Sequence, residues 1–134
     1  MSPARLSRRL VLAATSGAVA LSLAACGGSG SSTPATVPAD ADVVVRALDG
    51  VVWDKDAYTA TAENGEVTIY GVNDSGIAHN LYVQTTDGTA IGDFIDLPAR
   101  GSDGTKTWKL EPGEYRIVCL IPGHQNMDSP LTVS

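Results

Sequence analysis

The sequence predicts an all-β sandwich from residue 42 onward, and two observations lead to that fold class. Apolar residues occur there in short runs rich in Val, Ile, Thr, Tyr and Trp, and no run shows a sustained helical stripe. Turn signals separate these runs, namely Asn73-Asp74-Ser75-Gly76, Asp87-Gly88, residues 100–104 and Pro112-Gly113. Residues 42–134, about 93 in number, are enough for one domain with one core.

Residues 1–25 have the pattern of an export signal. Three arginines precede an apolar run that is shorter than the roughly 20 residues of a membrane-spanning helix. Leu23-Ala24-Ala25-Cys26 resembles the lipobox of bacterial lipoproteins, which implies that Cys26 becomes the lipidated first residue. An ordinary signal peptide with a cysteine nearby is the alternative, and the export route, Tat or Sec, stays open. We therefore expect an exported protein, lipid-anchored to the membrane and facing the periplasm or the cell exterior.

Residues 26–41 are predicted to be the lipidated cysteine followed by a flexible tether. After Cys26 the segment consists mainly of Gly, Ser, Thr, Pro and Ala, without apolar periodicity. A coil of this length reaches on the order of 20 Å, which would hold a small domain beside the membrane and leave it free to rotate.

The charge balance argues against nucleic acid as a partner. The whole chain has a net charge of −6 at pH 7, and without residues 1–25 it has six basic and fifteen acidic residues, a net charge of −9. Such a chain repels a phosphate backbone. The acidic surface either favours a basic redox partner or only keeps the domain soluble.

Period-two alternation supports particular strands of the sandwich. Tyr115, Ile117 and Cys119 fall on one face of a predicted strand, so the thiol emerges at its inward-facing end. His79 begins a second alternating segment, with Leu81 next on the same face. Trp108 and Leu110 are expected to belong to the same core.

The metal-ligating residue types are concentrated in the nine residues Cys119-Leu120-Ile121-Pro122-Gly123-His124-Gln125-Asn126-Met127. One loop can therefore surround a single ion, and the chain contains only one other histidine, His79. A Cys and two His with a weak axial Met describe a blue-copper electron-transfer site. If Cys26 carries lipid, Cys119 is the one free thiol of an exported domain, and burial as a small apolar residue is the alternative to metal binding.

This segment, together with His79-Asn80, resembles the small blue (type 1) copper proteins, the plastocyanin- and azurin-like cupredoxins. Residues 65–69, Asn73 and residues 110–115 add to the resemblance, which covers residues 42–134. It implies a single-domain Greek-key β-sandwich with one copper ion that alternates between Cu+ and Cu2+. The sequence departs from the family pattern because only two residues, not four, separate His124 from Met127.

The resemblance also implies a role for each site residue. His79, Cys119, His124 and Met127 would bind the metal, and Asn80 would hydrogen-bond across to the Cys119 loop. For Met127 the alternative is core packing, with the axial position left to a backbone oxygen. For Asn80 the alternative is a surface residue that closes a turn.

Electron exchange in the family implies a docking surface beside the last histidine. Here the apolar residues available around His124 are Ile77, Ala78, Ile121 and Pro122. We expect redox partner proteins that are associated with the membrane, and we expect the protein itself to be a monomer.

These residues predict an electron carrier and not an enzyme. A copper oxidase or nitrite reductase needs further copper centres built from additional histidines, and both histidines of this chain are already assigned. The alternative is a protein for copper storage or for delivery to a membrane cuproenzyme. Exposed Met-rich or His-rich tracts would favour delivery. The chain without its signal has no such tract, since Met127 is its single methionine and it has two histidines.

Overall fold

The computed structural model describes residues 34–134. The predicted export signal, Cys26 and the tether up to residue 33 lie outside the described residues. Within the described part, no helix is long and apolar enough to span a membrane.

Nine strands make up this domain: β1 (Val43–Leu48), β2 (Val52–Trp53), β3 (Tyr58–Ala60), β4 (Glu66–Asn73), β5 (His79–Thr85), β6 (Ile95–Leu97), β7 (Asp103–Lys109), β8 (Gly113–Val118) and β9 (Asp128–Val133). The all-β prediction is confirmed, because residues 34–134 contain strands and turns without a helix.

The strands form two sheets, with the orders β2-β1-β4-β7 and β3-β9-β8-β5-β6. Most neighbours within a sheet are distant in sequence, because the chain repeatedly crosses from one sheet to the other, as a Greek-key sandwich requires. The pairs β1–β4 and β3–β9 are parallel, and the other pairs are antiparallel.

The core lies between the inner faces of the two sheets. In β1 the buried residues Val43, Val45 and Ala47 alternate with half-buried ones, as expected for a strand with one face on the core. Trp108 and Leu110 are buried in the same cluster, as the sequence predicts. Burial of each large apolar side chain stabilises the fold by about 1.5–3 kcal/mol.

One glycine lets the edges of the two sheets approach each other. A Cβ added to Gly104 in β7 would lie 2.7 Å from Cγ2 of Ile95 in β6. Since real Cβ atoms do not approach that closely, the Ile95 side chain occupies space that any larger residue at position 104 would need. The contact joins β6 of one sheet to β7 of the other.

Candidate metal centre

Three side chains converge at one end of the sandwich. His79 is the first residue of β5, Cys119 directly follows β8, and His124 lies in the loop between β8 and β9. Because β5 and β8 are neighbours in one sheet, the end of β8 brings Cys119 beside the start of β5. One ligand atom from each of the three side chains lies within 4.8 Å of the other two, which is close enough to hold one metal ion.

The loop that carries Cys119 and His124 is closed by its own backbone. The Cys119 amide donates to the Met127 carbonyl at 2.9 Å, and the Met127 amide donates to the His124 carbonyl at 2.9 Å. Gly123 has a φ of 92°, a left-handed conformation that glycine adopts without strain. The hairpin therefore fixes the ends of the loop, and the turn at Gly123 directs the chain back toward β9.

Cys119 is a buried free thiol that interacts with two neighbours. Its Sγ lies 3.4 Å from Nδ1 of His124 and accepts a 3.5 Å contact from the amide of Asn80. Asn80 also binds the loop through its side chain, since its Oδ1 accepts a 2.7 Å hydrogen bond from the Leu120 amide. Asn80 therefore connects the start of β5 to the Cys119 side chain and to the Leu120 backbone.

His79 is fully buried, and only one of its ring nitrogens has a partner. Its Nε2 lies 2.6 Å from the Ser75 hydroxyl. Its Nδ1 has none, and it is the only buried side-chain nitrogen or oxygen among residues 34–134 without a hydrogen bond. Burial lowers the pKa of His79, and the nearby His124 imidazole lowers it further. The neutral ring is the form that binds metals.

Met127, the fourth predicted ligand, is fully buried and belongs to the core cluster. Its backbone pairs directly with Cys119 at the base of the loop. This position is compatible with an axial thioether and also with core packing, so metal binding by Met127 stays a prediction.

Apolar residues are exposed beside the ligand residues in the chain. Ile77 is 47% exposed just before His79, and Leu120 is 49% exposed just after Cys119. Ala78 and Pro122 are also exposed. Ile121 is half buried and packs against the core.

Leu120 is not among the apolar residues that the sequence analysis places around His124. Strand alternation could have identified it, since the residue after an inward-facing Cys119 points outward.

The buried polar network behind His79 is not predicted from the sequence. Asn73 and Ser75 belong to a turn signal there, and Asn73 also contributes to the family resemblance. Both are fully buried, and Ser75 contacts the metal-site histidine directly. The signal that could have found them is their polarity so close to His79 at the end of an apolar strand.

Solved structures similar to this chain are auracyanins and an azurin. Auracyanin from the photosynthetic bacterium Roseiflexus castenholzii, reduced with sodium dithionite, has a TM-score of 0.60 at 19% identity over 69% of this chain and 95% of that chain. An azurin (Az-iso2) from the obligate methylotroph Methylomonas sp. strain J has a TM-score of 0.60 at 16% identity over 72% and 99%. Auracyanin B has a TM-score of 0.58 at 20% identity over 74% and 93%.

The chain has the cupredoxin fold. No family model and no curated protein matches its sequence.

The residues present in this cupredoxin fold fit a copper ion. A buried thiol and two imidazoles converge, and Nδ1 of His79 has no hydrogen-bond partner in the protein. A Cys and two His with a weak or absent axial donor are the donors that copper takes in electron-transfer sites. The chemistry of the site therefore agrees with the fold.

Proposed function

We propose that this protein is a type 1 copper protein that carries one electron at a time. The single observation that supports this most directly is the convergence of His79, Cys119 and His124, with ligand atoms within 4.8 Å of one another. Bound copper would supply one-electron exchange between its cuprous and cupric states. Met127 is the proposed axial donor.

The chain's own residues hold the three donors rigidly. His79 belongs to the β5–β6 ladder, where it is opposite Leu97, and further along β5 residues 82–85 pair with β8. Cys119 and His124 are held by the backbone hydrogen bonds of the loop, and Asn80 ties that loop to β5. Fixed donors favour electron transfer, because a site that changes its geometry little between two oxidation states needs little reorganisation.

The proposed docking surface keeps Ile77, Ala78 and Pro122 from the sequence prediction, and it has the exposed Leu120 in place of Ile121, which packs against the core. The exposure of Ile77 and Leu120 supports this assignment, since two large apolar side chains in water beside a redox site suit a transient protein contact. The net charge of −9 for residues 26–134 would favour a partner with a basic surface. We also propose that the protein is exported and is attached to the membrane by a lipid at Cys26. It would act as a monomer with a membrane-associated redox partner.

Copper delivery is the rival function, and the burial of the donors disfavours it. His79 and Cys119 are buried, and His124 is only 9% exposed. A chelator or an acceptor protein would therefore have difficulty reaching the ligand atoms while the domain is folded. A carrier should cycle between the two copper states without loss of metal. Facile loss of cuprous ion to a chelator of moderate affinity would favour delivery instead.

An absorption spectrum of the copper-loaded protein tests the proposal. With one thiolate ligand, the oxidised protein should show an intense blue or green charge-transfer band at one copper per chain. Cys119→Ser should abolish the band, whereas the matched variant Cys26→Ser should retain it. Two coppers per chain, or binding of zinc with no colour after copper loading, would contradict a type 1 site.

A further inference from the structure

Ser75 is a buried serine on the loop between β4 and β5. Its Oγ lies 2.6 Å from His79 Nε2, 2.8 Å from Asn73 Oδ1 and 3.1 Å from the Ile77 carbonyl oxygen. The Ile77 amide also donates to it at 3.4 Å. A serine hydroxyl has one proton to donate, so these contacts restrict where that proton lies.

The orientation of Asn73 is fixed by its own partners. Its Nδ2 donates to the carbonyl oxygens of Ile77 at 2.7 Å and Leu97 at 2.9 Å, which uses both amide protons. Its Oδ1 accepts from the Ser75 amide at 2.8 Å. A flipped Asn73 would place an oxygen against two carbonyls, so Oδ1 must be the atom that faces the Ser75 hydroxyl.

The hydroxyl proton of Ser75 is therefore directed away from His79. Asn73 Oδ1 and the Ile77 carbonyl can only accept, and an oxygen–oxygen separation of 2.8 Å is repulsive unless a proton lies between the two atoms. Since the hydroxyl donates to one of these oxygens, it can only accept at the 2.6 Å contact with His79. Nε2 of His79 must then carry the ring proton, which leaves Nδ1 with a free lone pair.

The loop that presents Ser75 is also held from outside. The Gly76 amide donates to Oδ1 of Asp49 at 2.9 Å, and Arg100 pairs with the same carboxylate at 2.9 Å. Arg100 also donates to the Asp74 carbonyl. These contacts on either side of Ser75 limit the movement of its hydroxyl relative to His79.

We propose that Ser75 is the positioning residue of the metal site: its hydroxyl, oriented by Asn73, fixes the His79 ring and holds its proton on Nε2 so that Nδ1 faces Cys119 and His124. This inference rests on the proposed copper site and adds a residue that sets its affinity and potential. An acceptor behind an imidazole makes the ring a stronger donor. A stronger donor favours the cupric ion over the cuprous ion, because the cupric ion carries more charge.

The first measurement needs no copper and no variant. Nitrogen-15 NMR of the reduced, metal-free protein at pH 8 distinguishes a protonated ring nitrogen from an unprotonated one. We expect His79 to carry its proton on Nε2 alone. A proton on Nδ1, or an even mixture of the two tautomers, would overturn the inference whether or not the protein binds copper.

The second measurement uses Ser75→Ala and a matched control. Ser129→Ala also removes a buried serine hydroxyl, which donates to the Lys55 carbonyl at 2.9 Å and does not contact His79. We expect Ser75→Ala to mix the His79 tautomers and to lower cupric affinity about 10- to 100-fold, whereas Ser129→Ala should change neither. A tenfold loss that falls on the cupric form alone raises the reduction potential by about 59 mV.

The two proposals fail in different ways. If Ser75→Ala behaves like Ser129→Ala in both the tautomer and the potential, Ser75 is only a structural residue. If the wild-type protein shows the expected tautomer but takes up no copper, the copper function is wrong, while the positioning of His79 by Ser75 stands.

Discussion

Replacement of Asn73 by alanine tests the buried polar network that connects the two sheets at the end of the sandwich that carries the candidate metal centre. Asn73 is the last residue of β4 in one sheet, and its amide reaches the Leu97 carbonyl of β6 in the other. Asn73→Ala removes four side-chain hydrogen bonds, two donated by Nδ2 and two accepted by Oδ1. At about 0.5–1.5 kcal/mol each, the expected loss of unfolding free energy is about 2–6 kcal/mol.

Urea unfolding of the reduced, metal-free protein at pH 7.5 measures this loss. Asn126→Ala is the control, because Asn126 is exposed and has no side-chain hydrogen bond among the described residues, so its unfolding free energy should change by no more than about 0.5 kcal/mol. The predicted loss for Asn73→Ala is a large part of the roughly 5–15 kcal/mol that stabilises a typical domain. A loss below about 1 kcal/mol, similar to the control, would refute the reasoning and indicate that water replaces the amide.

Three further predictions concern the axial ligand, the contact between sheet edges and the anchor. Met127→Leu should keep copper bound but raise the reduction potential, since a donor that favours the cupric state is removed. An unchanged potential and spectrum would mean that Met127 only packs in the core. The axial position would then be empty or filled by a backbone oxygen such as that of Ala78. Gly104→Ala should lower the free energy of unfolding, measured in urea, by about 1–3 kcal/mol, because the added Cβ clashes with Ile95. The double variant with Ile95→Ala should recover part of that loss. Strictly additive losses in the double variant would argue against the clash. Cys26→Ala should release the protein from the membrane fraction with its copper spectrum unchanged, whereas loss of the copper site would make Cys26 structural.

Local sequence patterns were sufficient to predict the all-β class and three side chains that the structure brings together, His79, Cys119 and His124. Strand alternation put Cys119 at the inward end of β8, and the scarcity of histidine left His79 as the only distant donor, which the structure places beside Cys119 and His124. Such predictions succeed because residue type and period-two spacing are local properties of the chain.

The network behind His79 could not be predicted in the same way. Asn73 and Ser75 lie in a stretch whose sequence predicts a turn, and turns are normally exposed. Their burial depends on Leu97 and on the Asp49–Arg100 pair, which other strands and loops bring together only in the folded domain. The contact between Gly104 and Ile95 likewise depends on how the two sheets approach each other.

The closed loop between β8 and β9 has a consequence for folding. Cys119, His124 and Met127 lie within nine residues, so an unfolded chain already contains a short segment with three soft or borderline metal donors. His79 is 40 residues earlier and can join them only when β5 has paired with β8. Copper that reaches the chain early would therefore bind the unfolded state as well as the native one. Since only the difference between the two affinities stabilises the native state, copper should raise the melting temperature by less than its affinity for the folded domain alone implies.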